Sequence, residues 1–234
     1  MGNRIHTPEM IDLGPSYYTP QEYRDCLVQL GRIGKLLGGD RSTFWAFNQL
    51  QNKPASILDV GCGGGQLTIE LAKRYPQAHV KGIDISQEAI AFAREQLKYS
   101  PSVSNVEFCV PPAAQLCEAP KSVDVITSTL VFHHLSDEEI IDFLQKSVSV
   151  AREAVIINDL HRHFLASLSF GAIAPVCFPN RLIFNDGLLS IKRAFTRKDW
   201  LYYFQAAGIP SHAWSVSWHW AFRWIVMIYP EKCK

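Results

Sequence analysis

Long charged blocks are missing from this chain: Lys and Arg number 23, Asp and Glu 22, and the formal net charge is +1. A nucleic-acid partner gripped through its phosphates is therefore not expected, because that binding needs a basic surface. An uninterrupted apolar span is missing too. The longest apolar stretch, Phe164 to Phe178, runs fifteen residues and is broken by Gly171 and Pro175, which excludes stable membrane insertion on length, since a crossing takes about 20 residues. The six cysteines, Cys26, Cys62, Cys109, Cys117, Cys177 and Cys233, show no Cys-x-x-Cys spacing. No charged-then-apolar leader opens the sequence, so reduced thiols and a cytoplasmic location are expected. Position 6 is His6 where a myristoylation start needs Ser or Thr, and Cys233 has one residue after it, so neither lipid signal holds. Internal repeats and low-complexity tracts are absent. What remains is a chain of 234 residues, 47% hydrophobic, long enough to bury one substantial core.

Within it, Ser56-Ile57-Leu58-Asp59-Val60 is a short apolar run carrying one acid, Gly61-Cys62-Gly63-Gly64-Gly65 follows, and Gln66 to Tyr75 has helical spacing. The glycines thus sit where a buried strand turns into a helix. A sharp turn that also lets a ligand approach the backbone is obstructed by a β-carbon, and N–H groups at a helix start attract oxygen ligands. Asp84, nineteen residues after Gly65, ends the next apolar run, Ala78 to Ile83. A carboxylate there is placed to accept hydrogen bonds from both hydroxyls of a ribose.

A dinucleotide fingerprint counted from Gly61 requires a third glycine at position 66, which is Gln66. The run Asp59-x-Gly61-x-Gly63-x-Gly65 with Asp84 instead resembles motif I and the ribose-binding acid of the class I S-adenosylmethionine-dependent methyltransferases. The resemblance implies that Asp59, Gly61, Cys62 and Gly63 meet the amino acid part of S-adenosylmethionine, that Gly65 belongs to the same cofactor-binding turn, that Ile85 packs on the adenine and that Ala113 offers its backbone N–H. It extends the cofactor site to Ser128 and Leu130. One departure concerns the Asp-Ala that many relatives carry after the third strand: here it is Pro112-Ala113, so an adenine contact is lost, worth about 1 kcal/mol.

The remaining pattern alternates. Val106 to Val110, Val123 to Ser128 and Ala154 to Asn158 read as strands, with helices over Ser86 to Lys98 and Ser136 to Val150, and then Arg197 to Ala207 capped by Thr196. Two β-rich stretches, Ser211 to Ser217 and Trp220 to Tyr229, close the chain. Such alternation predicts an α/β fold with a mostly parallel sheet covered on both faces, and the resemblance makes it a Rossmann-like seven-stranded sheet with an antiparallel last strand. Residues 1–52 form a helical appendage, with helices over Gln21 to Leu37 and Arg41 to Leu50, and 53–234 the methyltransferase-like domain. The appendage is expected as a lid; Tyr17 and Tyr18 either contribute to it or pack against the domain.

Methyl transfer to a phenol or an acidic carbon needs a general base, a task for histidine near neutral pH. His133 and His134 follow the fourth strand and His161 and His163 the fifth, at the carboxyl ends where open α/β sheets bind ligands. His133 and His134 serve either catalysis or the local structure. His161 is the leading base, because Asn158 to His163 and the insertion Phe164 to Gly187 are similar to the ubiquinone and menaquinone C-methyltransferase group. Asp159, His161 and His163 are metal-competent in type. The acid that catechol-type metal enzymes carry at the end of the fourth strand is replaced by Ser128-Thr129, and their later Asp-Asn pair is reversed as Asn158-Asp159, so no metal is expected. Trp214, Trp218, Trp220, Phe222 and Trp224 either line an acceptor pocket or pack in the core. The reading is an S-adenosylmethionine-dependent methyltransferase acting on oxygen or carbon of a small aromatic, quinone- or polyketide-like acceptor. A cofactor-binding partner subunit without turnover and a nicotinamide-dependent oxidoreductase are the alternatives.

Overall fold

β1 (Ser56–Val60), β2 (His79–Ile83), β3 (Val106–Cys109), β4 (Val123–Thr129) and β5 (Ala151–Leu160) are the five strands read from the alternation, and β6 (Trp214–His219) with β7 (Arg223–Ile228) is the closing hairpin. The structure, a computed structural model, describes residues 4–113 and 116–233. The strands form one sheet in the order β3-β2-β1-β4-β5-β7-β6. Parallel pairing runs from β3 to β5, and β7 lies antiparallel to both β5 and β6. The strand order reverses between β1 and β4. Their carboxyl ends therefore diverge around a crevice, the place where such sheets take ligands.

Helices cover both faces. α3 (Gln66–Arg74) and α4 (Gln87–Lys98) pack one side, with Ile69, Leu71, Ile90 and Ala93 against Ile57, Val80 and Val125. α2 (Gly39–Phe47) adds Ala46 and Phe47 to that same layer. α5 (Asp137–Val150) and α8 (Arg197–Ala206) pack the other, where Ile140, Leu144, Trp200 and Phe204 meet Ile126, Val155 and Val226. α5 starts on a capping box in which Ser136 accepts from the Glu139 N–H and Glu139 accepts from the Ser136 N–H, an arrangement that satisfies two donors the helix leaves open.

The insertion after β5 folds as two helices, α6 (Phe164–Cys177) and α7 (Arg181–Arg193), that the sequence pattern did not separate. They join α1 (Pro20–Leu36) in a small core of Cys26, Ile33, Phe178, Leu182 and Ile183. α1 also meets α4 through Tyr23, Leu27, Ala89 and Phe92. These helices stand over the carboxyl ends of β1, β4 and β5. The boundaries read from sequence agree with the elements to within three residues; β5 extends beyond the stretch read for it at both ends, from Ala151 to Leu160.

Candidate active site

A cavity of about 1550 Å³ lies beneath α1, α6 and α7, walled by the glycine turn, Asp84, the residues after β4 and the β6–β7 loop. Gly61 shows why its position excludes a side chain: its φ is +71°, and a β-carbon there would lie 2.3 Å from Val131 Cγ2. Gly65, at φ +76°, would press on Phe108 and Ala93. Glycine removes both the left-handed backbone strain and the clash.

Four of the turn's N–H groups, those of Gly61, Cys62, Gly63 and Gly65, are engaged within the fold. Gly61 and Cys62 donate to the Ile83 carbonyl at 2.8 and 3.0 Å, and Gly65 donates to that of Cys62 at 2.9 Å. Gly63 donates to Asp84 Oδ2 at 2.9 Å, and Ser86 to Asp84 Oδ1 at 2.9 Å. Each Asp84 oxygen keeps a lone pair for a further donor, so the carboxylate is held in place while still able to receive hydroxyls. Burial shifts its pKa upward against those two hydrogen bonds.

Asp59 lines the cavity floor. Its Oδ2 accepts from Thr68 Oγ1 at 2.6 Å, and burial pushes the carboxyl up to about 7. A buried acid without a cationic partner is suited to a positively charged ligand, whose arrival stabilises the ionised form. Cys62, Ile85, Ala113 and Leu130 also line the cavity, Ile85 with 71% of its surface exposed. Leu130 has φ +59°, uncommon for a residue with a side chain. Ser128 stands apart from these: it is buried in the sheet, its hydroxyl donates to the Val60 carbonyl at 2.9 Å, and it does not line the cavity.

His133 and His134 occupy a 3₁₀ turn, Phe132–His134, at the cavity's polar end. His133 is buried, with Nδ1 2.7 Å from Asp159 Oδ1. His134 places Nδ1 2.7 Å from Asp12 Oδ1. Arg193 fixes the turn by donating to the carbonyls of His133 and His134, each at 2.8 Å, and to Asp12 Oδ2 at 2.7 Å. Although burial works upward on Asp12, the His134 hydrogen bond brings it down to about 2. For Asp159 the nearby His133 likewise overcomes burial and lowers the pKa.

Between the two imidazoles stands Glu9, which sequence reasoning missed. Burial pushes its carboxyl up to about 7. It comes from the N-terminal segment, 124 residues from His133 by chain but beside the 3₁₀ turn in space, so no local pattern marks it. Arg4 anchors that segment through Asp137 at 2.7 Å and the Leu135 carbonyl at 2.5 Å. Among the described residues, Glu9, His133 and His134 form the one group whose atoms are close enough to hold a metal ion. The candidates Asp159, His161 and His163 do not converge: Asp159 turns to His133, and His163 caps α6 by accepting from the Leu165 N–H.

His161 lines the cavity from beyond β5. Trp218 Nε1 donates to its Nδ1 at 3.2 Å, which leaves the proton on Nε2 in the neutral ring. Burial and then His163 lower its pKa. The arrangement equips His161 to donate at Nε2, whereas His133, held by a carboxylate at Nδ1, presents a lone pair. Trp218, Trp220 and Phe222 line the cavity, while Trp214 and Trp224 pack with the main core. Tyr18 lines it also and stacks on Tyr23 with centroids 5.2 Å apart; Tyr17 is half exposed.

Residues 57–154 match the protein family described as a methyltransferase domain. Over 85 residues the chain is 32% identical to the malonyl-[acyl-carrier protein] O-methyltransferase of Halalkalibacterium halodurans, covering 36% of this chain and 31% of that protein. Over 82 residues it is 37% identical to the tRNA1(Val) (adenine(37)-N6)-methyltransferase of Vibrio cholerae, covering 35% and 31%. The matches thus span about a third of each relative. The plantazolicin methyltransferase BpumL, solved with SAH and a monoazolic desmethylPZN analog, superposes with a TM-score of 0.65 at 17% identity, covering 92% of this chain and 90% of that one. Taken with the sheet order and the glycine turn, residues 57–154 match a methyltransferase domain, and the chain has the fold of solved methyltransferases.

Proposed function

We propose that this chain transfers a methyl group from S-adenosylmethionine to oxygen or carbon of a small aromatic, quinone- or polyketide-like acceptor. The observation that carries the reading is one continuous cavity joining the glycine turn and Asp84 to a histidine-carboxylate corner. Its volume of about 1550 Å³ exceeds the roughly 300–1000 Å³ of a single small-ligand site, so it has room for cofactor and acceptor together. When bound, S-adenosylmethionine supplies a methyl carbon on a sulfonium; the acceptor's electron pair forms the new bond, and the carbon–sulfur pair stays on sulfur as a thioether.

The residues favour the cofactor's chemistry. Asp59 meets its ammonium group, Asp84 its ribose, and the floor formed by Gly61, Cys62 and Gly63 lets both approach. The walls exclude water and fix the line of attack, which supplies much of the acceleration in a displacement of this kind. A proton released by the acceptor leaves at the corner of His133, Glu9 and His134, while His161 orients the acceptor by donation from Nε2. α1 and the segment before it act as the lid. The roofed cavity and balanced charge favour a small acceptor over tRNA, and the absence of any Cys-x-x-Cys spacing supports the cytoplasm as its location.

Incubating the chain with labelled S-adenosylmethionine and a panel of phenols, quinols and polyketide fragments tests this by counting methyl groups transferred. Transfer to any of them, stopped by Asp59→Asn, is the expected result. Cofactor binding without transfer to any acceptor would favour the partner-subunit alternative.

A further inference from the structure

The polar corner holds more carboxylates and imidazoles than proton removal requires, and their geometry is specific. Glu9 has a side chain only 3% exposed. Its Oε2 accepts from Ser190 Oγ at 2.9 Å, while Oε1 is buried with no hydrogen-bond partner. His133 Nε2 lies 3.8 Å from Oε1, and His134 Nε2 lies 3.9 Å from Oε2. Those separations are too long for hydrogen bonds. They suit atoms that share a cation, and one atom from each residue lies within 4.8 Å of the other two.

The opposite edges of both rings support this. Asp159 at 2.7 Å from His133 Nδ1 and Asp12 at 2.7 Å from His134 Nδ1 place each ring proton on Nδ1 and turn each Nε2 lone pair toward Glu9. A carboxylate behind each ligating histidine is the outer-shell arrangement that orients imidazoles around a metal. Arg193 Nε lies 3.9 Å from Glu9 Oε1, but its N–H groups are directed to the carbonyls of Thr7, His133 and His134 and to Asp12. Arg4 also reaches the turn, donating to the carbonyls of Phe132, His133 and Leu135, but its charge is met by Asp137 at 2.7 Å; Glu9, Asp12 and Asp159 then outnumber Arg193, so the local charge accommodates a dication.

We propose that Glu9, His133 and His134 bind a divalent transition-metal cation of the zinc type, with an open coordination position toward the acceptor chamber. Two imidazole nitrogens and one carboxylate match a three-ligand zinc site, whereas calcium and magnesium take oxygen ligands. The site stands on its own geometry; its use rests on the methyl-transfer reading, in which the cation would hold the acceptor oxygen and lower its pKa. The proton, which the two ligating imidazoles can no longer take, would pass to the Glu9 oxygen not bound to the cation. It departs from the metal-independent action expected from sequence, where Asp159, His161 and His163 were weighed as ligands and Glu9 was not.

The full chain, stripped with a chelator and checked for folding by circular dichroism, is titrated calorimetrically with Zn²⁺ and spectroscopically with Co²⁺. One equivalent per chain and a visible Co²⁺ ligand-field band are expected. Glu9→Gln and His134→Ala should each weaken binding at least about tenfold, and Asp12→Asn about 10- to 100-fold, as loss of outer-shell support does. His163→Ala should leave binding unchanged. Absence of stoichiometric uptake by the wild type, or equal uptake by Glu9→Gln, overturns the site. Calorimetry with S-adenosylmethionine on the same sample separates the two readings: cofactor binding without metal uptake sinks only the cation, and metal uptake without cofactor binding sinks only the methyltransferase.

Discussion

Asp59 is a residue whose chemistry depends on its surroundings alone. Folded, it keeps its proton to about 7 against an ordinary 3.8, so between those values the folded state binds a proton that the unfolded chain has released. Stability of the free protein therefore falls as pH rises through that window. Affinity for S-adenosylmethionine should move the opposite way, tightening by up to about tenfold per pH unit until the acid is ionised near 7 and then levelling. Calorimetry across pH checks this, and Asp59→Asn should flatten the profile. His161 gives a second test at this scale. With Nδ1 occupied by Trp218, His161→Ala is expected to lower turnover at least about tenfold while cofactor affinity stays within a factor of two; equal turnover would remove it from the mechanism.

Elements place these residues, and their junctions are where substitutions should tell. Gly61→Ala puts a β-carbon 2.3 Å from Val131 Cγ2 at a φ of +71°. The backbone alone costs about 1–2 kcal/mol, so the variant should melt lower and bind cofactor more than about tenfold more weakly. Ser86 caps α4 by accepting from Ala89 N–H at 3.1 Å and also accepts from the Tyr23 hydroxyl at 2.9 Å. Ser86→Ala should lose about 1 kcal/mol or more in denaturant unfolding, since a cap and a link to α1 go together. The strand-to-helix turn was legible because glycine, an acid and apolar spacing fall within twenty residues. The polar corner was half legible: the histidines follow β4 in the chain, but Glu9 and Asp12 reach them only through folding. Ser128 was assigned to the cofactor by position, yet its side chain turns to the Val60 carbonyl because it lies within the buried sheet.

At the scale of the molecule, α1, α6 and α7 share a core with each other and line the cavity at the carboxyl ends of the strands. Filling the cavity beneath them should stabilise the whole fold. Saturation at about 100 times the dissociation constant adds about 2.7 kcal/mol, so S-adenosylmethionine or its demethylated product should raise the melting temperature by several degrees, and a nicotinamide dinucleotide should not. Among the described residues no helix is long and apolar enough to cross a membrane. α6 nevertheless exposes Phe164, Leu165, Leu168, Ile173 and Val176, a surface that composition alone did not reveal.

The sequence by itself determined the alternation of strands and helices, the glycine turn and the acid opposite it, because each is written in local periodicity and in backbone conformations that few residues adopt. Tertiary structure decided which groups meet: it paired Asp159 with His133, set Glu9 between two imidazoles, gave Trp218 to His161 and divided the tryptophans between cavity and core. Those choices depend on contacts between residues far apart in the chain, whose distances and burial follow only once the sheet has closed.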